Sequence, residues 1–117
     1  GLIPSGNSLN YFQSMVATLG EEAVNDSVRY YQIPGMDHCS GGEGAHAIDW
    51  LGAMEDWVEN DNAPQALVAT HPAPPPGAPV EGDEFTRPAC VFPEAARYTG
   101  SGDTNNAESF ECAIPEN

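Results

Sequence analysis

The chain has 117 residues, of which 18 are Asp or Glu, three are Arg and none is Lys, so its formal net charge is −15. This charge excludes most ways of binding nucleic acid or an anionic membrane, because both need clustered Lys and Arg. The longest apolar runs have four residues, such as residues 66–69, whereas a transmembrane helix needs about 20. The composition therefore predicts an acidic, soluble, loop-rich chain long enough for one small domain.

The first predicted element is a helix with Ser8 as its N-cap. Its apolar residues recur at three- and four-residue spacing: Leu9, Phe12, Met15, Val16 and Leu19. Gly20 is expected to end this helix, and Glu21–Val24 to add a short helical turn. The β-branched and aromatic run Ser27–Ile33 then predicts a strand that stops at a Pro-Gly pair.

A second helix is predicted over Ala47–Glu59, after a glycine-rich loop at residues 35–42. Trp50 and Trp57, seven positions apart, are expected to lie beside each other on it. The residues expected to form its buried stripe are Ala47, Ile48, Leu51, Met54 and Val58. This order of helix, strand, loop and helix is half of an α/β unit rather than a closed domain.

The remaining chain is predicted to be mostly extended or turn-rich. Gln65–Thr70 is expected to form a short edge strand, and His71–Pro79 an extended connection of the polyproline type. A Pro-rich ligand for a signalling domain is the alternative for this connection, but flanking basic residues are lacking. From Glu81 onward the chain has the character of a disulfide-bonded tail.

His38 is the main candidate for chemistry. It follows the predicted strand, and ligand-binding loops of α/β sheets lie at the carboxyl ends of strands. An imidazole pKa of about 6.5 lets the ring accept and return a proton near neutral pH. A loop histidine that only makes a hydrogen bond is the alternative from spacing alone. A zinc site with Asp37, Cys39 and His46 is another, although adjacent residues rarely point at one ion; His46 and His71 are otherwise expected at the surface.

The N-terminus and the cysteines indicate a longer, exported polypeptide. The chain begins with neither Met nor a signal peptide, so we expect it to begin within a larger protein. Three cysteines, Cys39, Cys90 and Cys112, leave one without an internal partner. The absence of Lys suits secretion into acidic surroundings, and Asn25 in an Asn-Asp-Ser sequon is a candidate glycosylation site.

Three segments resemble the fungal tannase and feruloyl esterase family, in the same order along the chain. Residues 35–42 (GMDHCSGG) resemble its His-bearing motif, and residues 2–8 (LIPSGNS) resemble the segment after its catalytic Asp. Its C-terminal signature resembles residues 87–93 (RPACVFP), 96–103 (ARYTGSGD) and 110–112 (FEC). The resemblance therefore runs through nearly the whole chain.

The resemblance implies an α/β-hydrolase fold, of which residues 1–117 are the C-terminal part of one catalytic domain. The nucleophile region and a lid domain would lie outside this chain. Such enzymes are secreted serine carboxylesterases that act on feruloyl or galloyl esters, with the triad order Ser, Asp, His. His38 would be the general base. Asp37 is expected to face solvent for a different reason, because adjacent side chains in an extended loop usually point apart. The family lid binds calcium, and no cofactor is expected in this segment.

The resemblance also implies a role for each cysteine. Cys39 would form a disulfide with a Cys beside the nucleophilic Ser, outside this chain, and Cys90 and Cys112 would form the C-terminal disulfide. The partners implied are therefore the remainder of the enzyme and an aromatic-acid ester, and the isolated chain would have little or no activity. The alternative function is a non-catalytic acidic extracellular module that binds a cation or a basic partner.

Overall fold

The computed structural model describes residues 4–77 and 82–116. The chain divides into two compact units, Gly1–Tyr30 and Tyr31–Asn117, which are described separately. In the described part, no helix is both long and apolar enough to cross a bilayer. The expectation that residues 1–117 belong to one larger catalytic domain stays a prediction.

Two consecutive helices form most of the first unit. Helix α1 spans Ser5–Leu19 and helix α2 spans Glu21–Ser27. Gly20 separates them with a φ of 87°, which glycine adopts at low steric cost, and its N–H donates to the Val16 carbonyl at 2.9 Å. The side chain of Val24 is 1% exposed. The first helix and its end at Gly20 are therefore confirmed, and the turn after it is longer than predicted. The predicted N-cap at Ser8 is wrong, because the helix already begins at Ser5 and Ser8 lies within it.

The strand predicted over Ser27–Ile33 is wrong in the described structure. Ser27 is the last residue of α2, and Tyr31 makes only an isolated antiparallel bridge with Val91. A β-branched and aromatic run becomes a strand only where a neighbouring strand supplies a ladder of backbone hydrogen bonds. In the described part of the chain such pairing exists at this one position. The Tyr31 hydroxyl instead donates to the Pro64 carbonyl at 3.0 Å.

Helix α3 spans Trp50–Asn60 and begins later than the predicted start at Ala47. Asp49 is its N-cap, because its carboxylate accepts a hydrogen bond of 2.9 Å from the Gly52 N–H. Asp61 ends the helix in the left-handed region, with a φ of 56°. Ala47, the predicted first residue of this helix, instead makes an isolated antiparallel bridge with Thr70. The spacing of the apolar residues alone therefore places the start of the helix too early.

The apolar stripe predicted to be buried on α3 is largely exposed. Leu51, Met54 and Val58 are 69%, 55% and 75% exposed, and Trp50 is 47% exposed although its ring packs edge-on against Tyr31. An apolar helix face is buried only where another layer packs against it. The prediction of burial is therefore wrong for the described chain, and α3 presents an apolar surface.

We expect the C-terminal end of α3 to weaken at acidic pH. Asp56 accepts a hydrogen bond of 2.8 Å from the Asn60 side-chain amide and another from that of Asn62, and both bonds hold its pKa below the ordinary value of 3.8. Because the pKa is lowered in the folded state, the stabilisation is complete above the unfolded pKa and is lost as pH falls through the folded one. Urea unfolding of Asp56→Asn should show less loss of stability at acidic pH than the wild type.

The matched control for this prediction is Glu59→Gln, which removes one carboxylate from the same helix without touching these bonds. Its acid-side profile should follow that of the wild type. An Asp56→Asn profile that also follows the wild type would contradict the role given to these bonds.

Two antiparallel strand pairs support the second unit. Strand β1 (Ala66–His71) pairs with β2 (Phe85–Cys90), and β3 (Ala95–Tyr98) pairs with β4 (Phe110–Ala113). A 3₁₀ turn over Ala107–Ser109 precedes β4. The predicted edge strand is confirmed as β1, and the tail contains more strand than predicted because its strands are too short to give a clear alternating pattern.

The core of the second unit is small. Ala45, Ala69 and Ala89 are 6%, 2% and 4% exposed and form its centre. Residues 67, 69 and 71 of β1 share one face with their partners on β2, so this core and the side chain of His71 lie on the same side of the strand pair. Small side chains at the centre let the backbone segments approach closely.

Cys90 and Cys112 form a disulfide, the pairing that the resemblance implies. It joins the last residue of β2 to β4 across a sequence separation of 22, with the Cα atoms 5.6 Å apart. The Pro-rich connection leaves β1 at His71 and forms no helix or strand over residues 72–77. The rest of that predicted connection lies outside the described residues.

Candidate active site

The His-bearing segment is a loop whose two sides are joined by backbone hydrogen bonds. The Gly44 N–H donates to the Gly35 carbonyl at 2.9 Å and closes what we call the neck of the loop, the backbone at Gly35 and Gly44. Next to the neck, Met36 and Gly42 form an isolated antiparallel bridge. The backbone therefore holds the base of the loop and leaves its tip, which carries His38, projecting beyond these pairs.

His38 and Cys39 lie at this tip, and both are exposed. The Sγ of Cys39 is 3.0 Å from the Nδ1 of His38, and no described residue bonds the Nε2 atom. Cys39 has a φ of 70°, an uncommon conformation for a residue with a Cβ. The tip thus presents an imidazole Nε2 and a free thiol to whatever approaches the loop.

This arrangement suits a proton-transferring histidine. A general base accepts a proton at one ring nitrogen while a second group holds the other, and here Nε2 is open while Nδ1 has a neighbour. Asp37 is exposed, and among the described residues the ring's Nδ1 has Cys39 rather than Asp37 as its neighbour. The role of His38 as the base stays a prediction.

The C-terminal side of the loop is built into the core of the second unit. Ala45, directly after the neck, is 6% exposed and packs with Ala69. Two residues later, Ala47 and Thr70 exchange two backbone hydrogen bonds of 2.9 Å each. Strand β1 therefore anchors the segment that leads out of the His loop.

His71 is a site residue that the sequence did not reveal. It was expected at the surface, but it is half-buried, its Nδ1 lies 3.0 Å from the Gly44 carbonyl oxygen, and its ring stacks on Phe85 at 4.8 Å and 8°. His46 is also half-buried, and its ring meets that of His71 edge-on at 5.8 Å. Both histidines are thus partly exposed, but each makes a ring contact that a purely surface position would not have. One signal in the sequence could have indicated the position of His71. Residues 67, 69 and 71 of a strand lie on the same face, and Ala69 belongs to the core.

The remaining candidate residues do not join this site. Across residues 4–77 and 82–116, no three His, Cys, Asp or Glu side chains come together as a metal-binding group, which does not support the zinc alternative. Asn25 lies exposed on α2, in the first unit. Its glycosylation stays a prediction.

An apolar cavity of about 500 Å³ borders the neck of the loop. Its walls include Pro34, Gly44, Ala45, Phe85, Ala89 and Phe110. The neck therefore has a void rather than packed side chains on one side, and packing alone does not hold it in place.

We expect Gly44→Ala to destabilise the His loop. A Cβ at Gly44 would overlap the Pro34 carbonyl oxygen, which belongs to backbone and has no flexible side chain to move aside. Overpacking of this kind costs about 2 kcal/mol of unfolding free energy. Urea unfolding of the variant measures the loss.

Gly41→Ala is the control from the same loop. A Cβ there meets nothing within 4 Å, so the variant carries only the strain of its φ of 79°, about 1 kcal/mol. Gly44 has no positive φ, so a Gly44→Ala variant as stable as the wild type would show that the close approach at Gly44 has no effect.

Comparison with known proteins places this loop in a family. The profile of the family described as "Tannase and feruloyl esterase" matches residues 2–113. A mono(2-hydroxyethyl) terephthalate hydrolase of Piscinibacter sakaiensis is 36% identical over 93% of this chain and 17% of its own length. A probable feruloyl esterase of Arthroderma benhamiae is 38% identical over 96% of this chain and 20% of its own length.

Solved structures agree with the sequence relatives. An esterase from Aspergillus oryzae superposes with a TM-score of 0.78 at 30% identity, and feruloyl esterase B from the same organism with 0.75 at 28%. Each match covers 95% of this chain and about a quarter of the solved chain. The predicted fold class, part of an α/β hydrolase, is confirmed by this likeness. Since the profile spans almost all of its length, the chain belongs to the tannase and feruloyl esterase family.

Proposed function

We propose that this chain is the C-terminal, His-bearing part of a secreted serine carboxylesterase that acts on esters of aromatic acids. The observation that carries the proposal is the exposed His38 at the tip of a backbone-closed loop, in a chain that the family profile covers over residues 2–113. The similar proteins named above include a terephthalate ester hydrolase and feruloyl esterases, whose acids are both aromatic. They support this substrate class.

The reaction follows from the chemistry of an imidazole next to a hydroxyl nucleophile. The Nε2 atom of His38 accepts the proton of the serine hydroxyl as its oxygen attacks the ester carbonyl. The same nitrogen then returns that proton to the leaving alcohol, and later takes a proton from the water that hydrolyses the acyl-enzyme. An Asp outside this chain would accept a hydrogen bond from Nδ1 and keep Nε2 free to act as the base.

Cys39 fits a covalent link between this loop and the nucleophile region. It is a free, exposed thiol directly beside His38, while the other two cysteines of the chain are bonded to each other. We propose that it forms a disulfide with a Cys next to the serine. Such a bridge limits the drift between the base and the nucleophile, which the reaction needs at hydrogen-bond distance.

The proposal places this chain within a longer polypeptide. The chain spans only 17–20% of the two relatives described above, and helix α3 exposes an apolar stripe that a further layer would cover. Secretion is supported by the disulfide and by the strongly acidic composition. The calcium site implied by the resemblance would lie in the lid, outside this chain. No step proposed for this chain uses calcium.

Hydrolysis of methyl ferulate and methyl gallate tests the proposal. The protein to assay is the intact esterase, by which we mean this chain together with the part that carries the Ser and the Asp, made as one polypeptide or by co-expression. We expect the intact esterase to hydrolyse at least one of the two esters and the 117-residue chain alone to hydrolyse neither. An isolated chain as active as the intact esterase would contradict the proposal.

A further inference from the structure

We propose that His71 is a positioning residue for His38, because it ties the neck of the His loop to strand β1. The inference rests on the proposed function only in its catalytic part. Its structural part is that His71 fixes the neck although it lies 27 positions from Gly44 in the sequence. This part depends only on the contacts of His71.

The bond between His71 and the neck has a defined direction. A carbonyl oxygen only accepts hydrogen bonds, so the Nδ1 of His71, 3.0 Å from the Gly44 oxygen, carries the hydrogen and donates it. The N–H of the same glycine donates to the Gly35 carbonyl at 2.9 Å. The carbonyl of Gly44 is therefore bonded to His71 on β1, and its N–H is bonded to Gly35 at the start of the loop. These two hydrogen bonds connect His71 to both sides of the neck.

The side chain of His71 is itself held in place. His71 and Phe85 are directly opposite each other in the β1–β2 register, and their rings stack at 4.8 Å and 8°. His46 packs edge-on against the same ring at 5.8 Å. The donor is thus preorganised, because two rings restrict the orientations in which the imidazole can lie.

The hydrogen bond from His71 adds to the backbone bonds of the neck, which has a cavity on one side. The cavity of about 500 Å³ borders Gly44, so side-chain packing is missing on that side. Gly44 also has no side chain with which to anchor itself. Removing the His71 donor leaves the Gly44 carbonyl without this bond and gives the neck freedom to shift toward the cavity.

A shift of the neck would move His38 relative to the serine. Displacements of about 1 Å can cost around 100-fold in rate, whereas binding of the ester depends on other groups. We expect loss of the His71 donor to lower kcat about tenfold, since the loop keeps its other backbone bonds. The KM should stay within about twofold, as the change concerns the geometry of the base and not the binding of substrate.

Two variants separate the donor from the ring. His71→Phe keeps a ring to stack on Phe85 but has no donor, and His71→Asn keeps a donor near the Nδ1 position but has no ring. In the intact esterase, His71→Phe should lose about tenfold in kcat, and His71→Asn should restore it to within about threefold of wild type. If His71→Phe does not fold, His71→Leu replaces it, because Leu matches the shape of Asn without its donor.

Hydrogen exchange at the Gly44 amide gives a second readout that needs no activity. The neck bond protects this amide, so its exchange in the 117-residue chain should be about tenfold faster in His71→Phe and close to wild type in His71→Asn. Amides of α1, in the other unit, serve as the reference and should not change. An unchanged exchange rate at the Gly44 amide in His71→Phe would contradict the proposal that His71 holds the neck.

The two readouts separate failure of this inference from failure of the proposed function. If His38→Ala retains full activity, the proposed function fails, and the exchange experiment still decides whether His71 holds the neck. If His38 is essential and exchange is faster in His71→Phe but kcat is unchanged, His71 is structural only and the positioning role is overturned. A loss of kcat that Asn does not rescue would also overturn it, because the effect would then follow the ring and not the donor.

Discussion

His38→Ala should lower the kcat of the intact esterase about 10⁶-fold. The substitution removes the only group proposed to take the serine proton, so the hydroxyl must attack in its weakly nucleophilic neutral form. The KM should change little, because Ala leaves the ester-binding surfaces intact. Initial rates on methyl ferulate or methyl gallate over a range of concentrations measure both constants.

Asp37→Asn is the closest control for this substitution. Asp37 precedes His38 and lies at the same exposed tip, but in the described structure Cys39, not Asp37, lies beside the imidazole Nδ1. We expect this variant to keep the kcat of the wild type within about twofold, because Asp37 is exposed and the substitution preserves the size of the side chain. Equal losses in the two variants would indicate damage to the loop as a whole rather than loss of a base.

Removing the Cys90–Cys112 disulfide should lower the free energy of unfolding of the second unit by about 3 kcal/mol. The bond closes a sequence separation of 22 and joins β2 to β4, so it restricts the unfolded chain and also holds the two strand pairs together. The core offers little to compensate, because its centre is three alanines. Urea unfolding of the Cys90→Ala, Cys112→Ala double variant measures the change.

Cys39→Ser is the matched control for the disulfide prediction in the isolated chain. It removes a thiol that is free and exposed there, so its unfolding curve should overlay that of the wild type. A double variant within about 0.5 kcal/mol of wild type would contradict the stabilising role of the disulfide.

Local sequence patterns were sufficient for the elements that depend mainly on their own residues. The spacing from Leu9 to Leu19 and the glycine after it define α1, because a helix satisfies its backbone hydrogen bonds within itself. The extended run Gln65–Thr70 nearly matches β1. The position of His38 in an exposed loop between glycines is likewise a local property.

The features that depend on distant residues were missed. Ser27–Ile33 has the composition of a strand, but only Tyr31 finds a described pairing partner, at Val91. The stripe of α3 has the period of a buried face, yet burial depends on a covering layer that periodicity does not supply. The side chain of His71 bonds the Gly44 carbonyl, 27 positions away in the sequence. The position of His71 depends on the register of β1 with β2, which was not predictable from the sequence.

The rate at which a fluorophosphonate labels the nucleophilic serine is the most direct test of the central claim. This reagent reports how strongly the hydroxyl is activated, whichever acyl group the enzyme prefers. The account predicts that the intact esterase is labelled about 10³-fold faster with His38 than with His38→Ala, because the base is what activates the serine. Equal labelling rates in the two proteins would contradict the claim that this chain supplies the general base.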